Sequence, residues 1–250
     1  MSRETLLDVP LRELFHENTK KFHFGASEDF QKRAPAEWSK TEYKSYETAQ
    51  HITLDAGEET TRPVDDIIAK RRSPLAFEEY AVSTNELGAI LRAAAGITDR
   101  GPSPDDHRRA YPSAGGNYPI ELYVSVFKGK DIDPGLYHYN VLNHNLAVLR
   151  EDANPKTWDF MALPEGEPSF LVFLTAVEQR MTRKYGNRGY RYILMEVGHL
   201  MQNLSLVAQA RGLGGRPYAH LLEDEVEDYL GLESGEWPLY AGVFGKPRKD

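Results

Sequence analysis

The chain has no cysteine among its 250 residues. That excludes disulfides, cysteine-ligated zinc, iron–sulfur clusters and thiol nucleophiles together. Long apolar runs are missing too. The longest, from about Phe170 to Val177, is too short to cross a bilayer, and the opening Met-Ser-Arg-Glu-Thr lacks the apolar stretch of a secretion signal. A cytoplasmic protein with no membrane partner is expected. Positive charge is the minority, with 30 Lys and Arg against 38 Asp and Glu and a net charge of −8. This balance argues against a general nucleic-acid partner, which needs a basic face. It leaves room for a local basic pocket that takes a small phosphate. No phosphate loop of the Walker type occurs. Gly212-Leu213-Gly214 ends a helix and meets Pro217 where a dinucleotide fingerprint needs its third glycine. The eight histidines are dispersed. His138 and His144 flank a hairpin turn with no carboxylate near them in sequence, so they are read as hairpin surface residues, and no metal site is expected.

What remains is ordinary globular material. Hydrophobic residues make up 40% of the chain and charged ones 27%, enough for a sizeable core. Residues 1–60 are rich in charge and aromatics (Phe15, Phe22, Phe24, Trp38, Tyr43, Tyr46) and read as an extension packed on the main body, residues 61–250. Leu6, Leu7, Leu11, Leu14 and Phe15 suit a short amphipathic helix. A helix is expected over Val64–Arg72, with Pro63 at its first position and Asp65 and Asp66 in its first turn. Another follows Ser83, which forms a capping box with Glu86 and precedes Leu87, Ile90, Leu91 and Ala94 on one face. Ile120–Phe127 and Phe170–Val177 read as buried strands, and Leu136–Asn140 with Leu146–Arg150 as a hairpin. The longest helix is expected from about Tyr190 to Arg211, on the spacing of Ile193, Leu194, Val197, Leu200, Met201, Leu204, Val207 and Ala208, with Gly212 as its stop. A short helix over Glu225–Leu230 and a last strand over Leu239–Phe244 complete the pattern. Strands and helices mix without strict βαβ alternation, which implies an α+β sheet with helices packed on it.

Four segments carry candidate chemistry. Arg71-Arg72-Ser73-Pro74 ends a predicted helix; paired guanidiniums and a hydroxyl suit a phosphate, although basic residues also complement a helix C-terminus. Tyr111-Pro112-Ser113-Ala114-Gly115-Gly116-Asn117 precedes a buried strand, and its small residues permit close backbone approach to a flat ligand. Gly245-Lys246-Pro247-Arg248 follows the final strand and can close the other side of an anion pocket. Arg183-Lys184-Tyr185-Gly186 reads as a loop between a buried strand and the long helix. A cationic or desolvated setting there can bring Lys184 or Tyr185 toward neutrality as a base.

In this order and spacing the four segments resemble the nitroreductase superfamily, and more narrowly its SagB-type branch, which includes azoline oxidases. The resemblance covers about residues 63–250, and the Phe15-His16-Glu17-Asn18-Thr19-Lys20 stretch is similar to the start of stand-alone members. It implies a central, mainly antiparallel sheet flanked by helices, with the long central helix at a homodimer interface. It also implies an FMN cofactor. Arg71, Arg72, Ser73, Lys246 and Arg248 would clasp its phosphate and ribityl chain, Pro112, Ser113, Ala114 and Gly115 would lie by its ring system, and Gly215, Arg216 and Pro217 would pass near its reactive edge. Arg216 stands where the family commonly has an uncharged residue, and suits an anionic reduced flavin or an acidic substrate.

Lys184 and Tyr185 match the pair implicated in azoline oxidation. The activity implied is FMN-dependent dehydrogenation of azoline rings in a modified peptide or a related small molecule. Tyr185, assisted by Lys184, would take a ring proton while the flavin is reduced, and oxygen would then reoxidise it. Two other readings stand beside it: an NAD(P)H-dependent nitro- or quinone-reductase, and a non-catalytic flavin-binding subunit of a biosynthetic complex. Biosynthetic partner proteins belong to the first and third readings.

Overall fold

A computed structural model of the protein describes residues 10–20, 35, 38, 40–55, 57, 60–151 and 164–248. In chain order the elements are α1 (Leu11–Asn18), β1 (His51–Thr53), α2 (Val64–Lys70), β2 (Ala76–Glu78), α3 (Thr84–Ala95), β3 (Ile97–Asp99), β4 (Arg108–Arg109), β5 (Ile120–Val126), β6 (Gly135–Asn140), β7 (Asn145–Glu151), β8 (Glu165–Gly166), β9 (Phe170–Val177), α4 (Gln179–Tyr185), α5 (Arg188–Ala210), β10 (Gly214–Tyr218), α6 (Glu223–Leu230) and β11 (Glu236–Pro247).

The centre of the sheet is β5 beside β9, paired antiparallel from Ile120↔Ala176 to Val126↔Phe170. Both strands are buried on both faces: β9 reads as an apolar run broken only by Thr175, while β5 alternates Ile120, Leu122, Val124 and Val126 with Glu121, Tyr123 and Ser125. The strand order is β1-β7-β6-β5-β9-β11-β2-β8, with β10 added along β11. Every pairing in this sheet is antiparallel except β2 with β8. The mixed α+β architecture implied by the sequence is the one found.

One face of the sheet packs against α3 and α5. Leu122, Val124 and Val172 meet Leu87, Ile90 and Leu91 of α3, and Ile193, Val197, Leu200 and Leu204 of α5. The opposite face gathers Tyr123, Leu136, Phe173 and Val243 under Val226 and Leu230 of α6. Helix α3 starts where the sequence signals it. Ser83 accepts the Glu86 amide and Glu86 accepts the Ser83 amide, satisfying two donors that a helix start leaves orphaned.

Several boundaries differ from expectation. Pro63 sits one position before α2, and the chain leaves the helix at Arg71, whose ψ is 127°. Helix α5 begins at Arg188, and Leu194, expected with the apolar stripe, is instead 41% exposed. The final strand runs twelve residues, because it pairs with β9 and β10 together and then with β2. In the first 60 residues, α1 covers Leu11, Leu14 and Phe15, while Leu6, Leu7, Phe22 and Phe24 lie outside the described residues. Phe15 meets Tyr190 edge-on at 5.7 Å, and β1 pairs with β7.

The histidines correct the surface reading. His138 is fully buried, with Nε2 2.9 Å from Glu121 Oε2, a carboxylate that the β5–β6 pairing brings alongside. His144 turns elsewhere, to Tyr139 Oη at 2.9 Å and the Asp55 carbonyl at 3.0 Å. Among the described residues no cluster of three or more acidic or histidine side chains could hold a metal.

Candidate active site

Two clusters, built at different ends of α5, contain the residues singled out in the sequence. The first surrounds the turn before β5. Ser113 accepts the Tyr118 amide at 2.9 Å, and the Gly116 amide returns to the Ser113 carbonyl at 3.1 Å. Gly115 and Gly116 both take positive φ, 68° and 70°, a region that side chains disfavour. Behind the turn, Arg109 is buried, donating toward Tyr111 Oη at 3.4 Å and stacking its guanidinium 4.7 Å from the Tyr118 ring.

Lys184 and Tyr185 reach this turn from α4. The sequence suggested a loop here. Gln179–Tyr185 instead forms a helix, anchored by fully buried Met181 and ended by Gly186 at φ 53°, so the pair occupies its last turn. A methyl group built on Gly115 would lie 2.5 Å from Tyr185 Oη and 3.0 Å from Lys184 Nζ. Both polar tips therefore lie over the bare Gly115 Cα. Tyr185 is held edge-on to Tyr192 at 5.1 Å. Burial first, and Tyr192 second, push its hydroxyl above the ordinary phenol range, the opposite of the shift toward neutrality that the sequence reading allowed.

Sequence reasoning missed Glu196, on the buried face of α5 and only 2% exposed. Its carboxyl lies against Ser113 and the Ala114 amide without closing a well-formed hydrogen bond to either. Burial raises its pKa to about 8, against the smaller lowering influences of Ser113, Arg109 and Ala114. At neutral pH this group holds a proton. The signal available in the sequence was an acid interrupting an apolar stripe, three residues after Ile193.

The second cluster lies past the C-terminal end of α5. A methyl on Gly214 would strike Pro74 Cγ at 2.4 Å and Pro247 Cγ at 2.8 Å, and one on Gly212 would sit 3.9 Å from Lys246 Nζ. The Arg71–Pro74 and Lys246–Arg248 segments thus converge on the glycines that lead from α5 into the start of β10. Arg71 donates to Ser73 Oγ at 3.3 Å. Arg72 turns back onto the Ala69 and Arg71 carbonyls at 2.8 Å each, closing the end of α2. Arg248 is ion-paired with Glu165 at 3.0 Å. Arg71, Arg72 and Lys246 have no carboxylate within ion-pair distance among the described residues. Gly215 has a packing reason to be glycine, since a methyl there would meet the Phe244 ring at 2.5 Å. Arg216 bonds Tyr218 Oη at 2.9 Å and the Pro74 carbonyl at 3.4 Å, and Pro217 pairs with Gly242.

Within one chain the clusters are well separated. Glu196, which lies against Ser113, precedes Gly212 by four and a half helical turns, roughly 24 Å at 1.5 Å per residue. Beside Glu196, α5 exposes Leu194 (41%) and Met195 (49%), followed by Gly198, where an added methyl would meet nothing. A cavity of about 470 Å³ beside α5 is lined by Ile67, Ala110, Asn203, Val207 and Arg211 among others, and shares no residue with the predicted site set.

The sequence profile of the nitroreductase family matches residues 68–246. MJ1384 of Methanocaldococcus jannaschii, named as a nitroreductase, is 33% identical over 186 residues, which cover 73% of this chain and 90% of that one. The microcin B17-processing protein McbC of Escherichia coli is 29% identical over 158 residues, 60% of this chain and 58% of McbC; the match thus spans little more than half of that relative. Among solved structures, a nitroreductase-type protein of Anabaena variabilis superposes with a TM-score of 0.75 at 23% identity, over 96% of this chain and 48% of that one. A chain of the E. coli microcin synthetase McbBCD complex, bound to truncated pro-MccB17, superposes with a TM-score of 0.61 at 22% identity, over 100% of this chain and 95% of that one. At these identities the two structures speak for the fold.

Proposed function

The chain belongs to the nitroreductase family, and from that premise we propose that it is an FMN-dependent oxidoreductase of the SagB type, acting on azoline rings of a modified peptide or a related small molecule. The observation that carries this reading is the meeting of Lys184 Nζ and Tyr185 Oη over Gly115. A lysine–tyrosine pair, far downstream in the chain, closes on the small-residue turn where the family keeps its flavin ring. The likeness to McbC, a microcin-processing protein, supports a peptide substrate and biosynthetic partner proteins.

The residues present fit FMN. Arg71, Ser73 and Lys246 offer cations and a hydroxyl that suit a phosphate, and Gly212 and Gly214 leave backbone close to them. Arg72 and Arg248 would have to leave the Ala69 carbonyl and Glu165 to join them. Bound FMN would supply two-electron chemistry; the protein's part is to orient it and set the surrounding charge. Gly115 lets a flat group approach the pair, and the protonated Glu196 adds no negative charge beneath the turn, leaving Arg109 as the buried charge there. Tyr185 keeps its phenol proton in the resting site, so it meets a substrate as a hydrogen-bond donor. To act as a base it must lose that proton, and Lys184 Nζ, 5.7 Å from its ring centroid, is the side chain placed to assist in this reading.

The same reading makes the protein a homodimer. The two clusters are too far apart along α5 to share one mononucleotide within a chain. The exposed Leu194 and Met195 of α5, beside Gly198, offer a face for a second copy, and in this reading the phosphate cluster of one chain and the lysine–tyrosine cluster of the other share one FMN. No helix among the described residues is long and apolar enough to cross a membrane.

The test is the visible spectrum of the purified protein, followed by anaerobic flavin reduction with Lys184 and Tyr185 replaced together. Flavin bands with loss of reduction support the reading. Unchanged reduction with FMN bound removes the pair from the mechanism. The 33% identity to MJ1384 supports a second reading, an NAD(P)H-dependent nitro- or quinone-reductase, which rapid bleaching by NADPH would favour.

A further inference from the structure

The family match begins at residue 68, yet three residues well before it touch both walls of the candidate site. Thr41 is buried, its amide donating to Asp105 Oδ1 at 3.0 Å and its hydroxyl to the Gly116 carbonyl at 3.1 Å. The next residue, Glu42, binds Arg183 of α4 and lies 3.7 Å from Arg180 Nε. Arg183 also donates to the Lys40 carbonyl at 3.4 Å. Lys40, Thr41 and Glu42 therefore join the glycine turn to the helix that carries Lys184 and Tyr185.

The segment is bolted down on its far side. Lys44 Nζ donates to Glu236 Oε2 at 2.5 Å and to Tyr123 Oη at 2.8 Å, and Tyr46 Oη lies 3.0 Å from Tyr123 Oη. Glu236 is only 5% exposed and also accepts from Thr175 at 2.5 Å. A buried charge pair with this many hydrogen bonds is costly to open, so the strap has a fixed anchor on the sheet. Tyr43 Oη adds a bond to the Pro104 carbonyl at 3.0 Å, on the loop leading into the turn.

We infer that Thr41 and Glu42 are positioning residues: the 40–46 strap sets the separation between the Gly115–Gly116 turn and the Lys184–Tyr185 pair. Its bearing on turnover rests on the function proposed above, but the placement does not. A strap outside the family match that reaches both walls is a place where this chain can tune its own site while the shared scaffold stays unchanged. Thr41 acts on the turn through a carbonyl, and Glu42 acts on the pair through Arg183, so neither needs to touch substrate.

The test uses the full chain with Thr41→Val, Thr41→Ser and Glu42→Gln. Lys184 is acetylated with limiting acetic anhydride at fixed pH, and its labelling is read by peptide mass spectrometry against Lys70 as internal reference. FMN is titrated into the same proteins. Thr41→Val and Glu42→Gln are expected to change Lys184 labelling by about threefold or more relative to Lys70, the scale of one partly exposed ion pair or hydrogen bond. Thr41→Ser, which keeps the hydroxyl, should match the parent. Equal labelling in all four proteins overturns the inference, and so does a Thr41→Ser protein that behaves like Thr41→Val. Should Thr41→Val fail to fold, Glu42→Gln at the half-exposed carboxylate decides alone. A parent protein that ignores FMN would defeat the flavin reading and leave the labelling result to judge the strap.

Discussion

Tyr185 closes on Gly115 so tightly that no side chain fits between them: a methyl there would come within 2.5 Å of the phenol oxygen. Gly115 also holds φ at 68°, where an added Cβ costs about 1–2 kcal/mol. Gly115→Ala should lower stability by about that amount, read by denaturant unfolding. Flavin reduction by substrate should fall by about tenfold or more, because the pair must swing aside. A variant that loses stability but keeps its reduction rate would detach Tyr185 from the chemistry.

Glu196 gives a stability signature. Its pKa is near 8 in the folded chain and 4.5 as an ordinary glutamate, so between these values the folded state holds a proton that the unfolded chain has released. Stability therefore falls as pH rises from about 4.5 to 8 and levels off above, with a total of order a few kcal/mol. Glu196→Gln should remove this fall. Unfolding free energies at pH 5 and pH 8.5 are expected to differ less in the variant than in the parent.

On the other face of the sheet the sign reverses. Burial pushes Glu121 up, but Arg180 at 2.5 Å, the His138 hydrogen bond and Arg109 outweigh it and hold its carboxyl down to about 2. Its contribution is present above about pH 4.5 and disappears as pH falls toward 2. Arg180→Met leaves this carboxylate buried with only His138 as a close partner, an expected loss of about 3–5 kcal/mol at neutral pH. Chemical denaturation of the variant from pH 7 to pH 3 should show the gap to the parent narrowing.

The raised Tyr185 hydroxyl predicts how rate follows pH. If proton removal by Tyr185 limits the reaction, flavin reduction climbs with pH toward and beyond the ordinary phenol range. Tyr185→Phe should flatten that climb while FMN remains bound.

Local signals made much of the fold legible. The Ser83–Glu86 box marked the start of α3 because all its partners lie within four residues. Likewise β9 stood out as a nearly continuous apolar run because both its faces are covered, and β5 by its alternating Ile120, Leu122, Val124 and Val126. Helix α4 was missed: seven residues with one apolar anchor, Met181, carry too little periodicity to separate helix from loop. His138 looked like a surface residue because its carboxylate, Glu121, is 17 positions away and arrives only through strand pairing. Glu196 showed only as an acid in an apolar stripe, and its role was hidden for the same reason, since Ser113 reaches it from another element. The resemblance supplied the Lys184–Tyr185 pair and the Pro112–Gly115 turn, but not the strap that joins them, which precedes the matched region.

In the proposed dimer the Arg71–Lys246 cluster of one chain and the Gly115–Lys184–Tyr185 cluster of a second meet on one FMN. The decisive experiment is flavin content after subunit mixing. One variant would carry Arg71→Ala with Lys246→Ala, the other Gly115→Leu, and each alone should retain little FMN. Unfolding and refolding them together creates mixed dimers in which one site draws both its halves from unaltered segments. Recovery of bound flavin in the mixture, to about half the parent level at most, is the predicted result. A mixture as empty as its components, or a parent protein that binds FMN as a monomer, would rule out a flavin site shared between subunits.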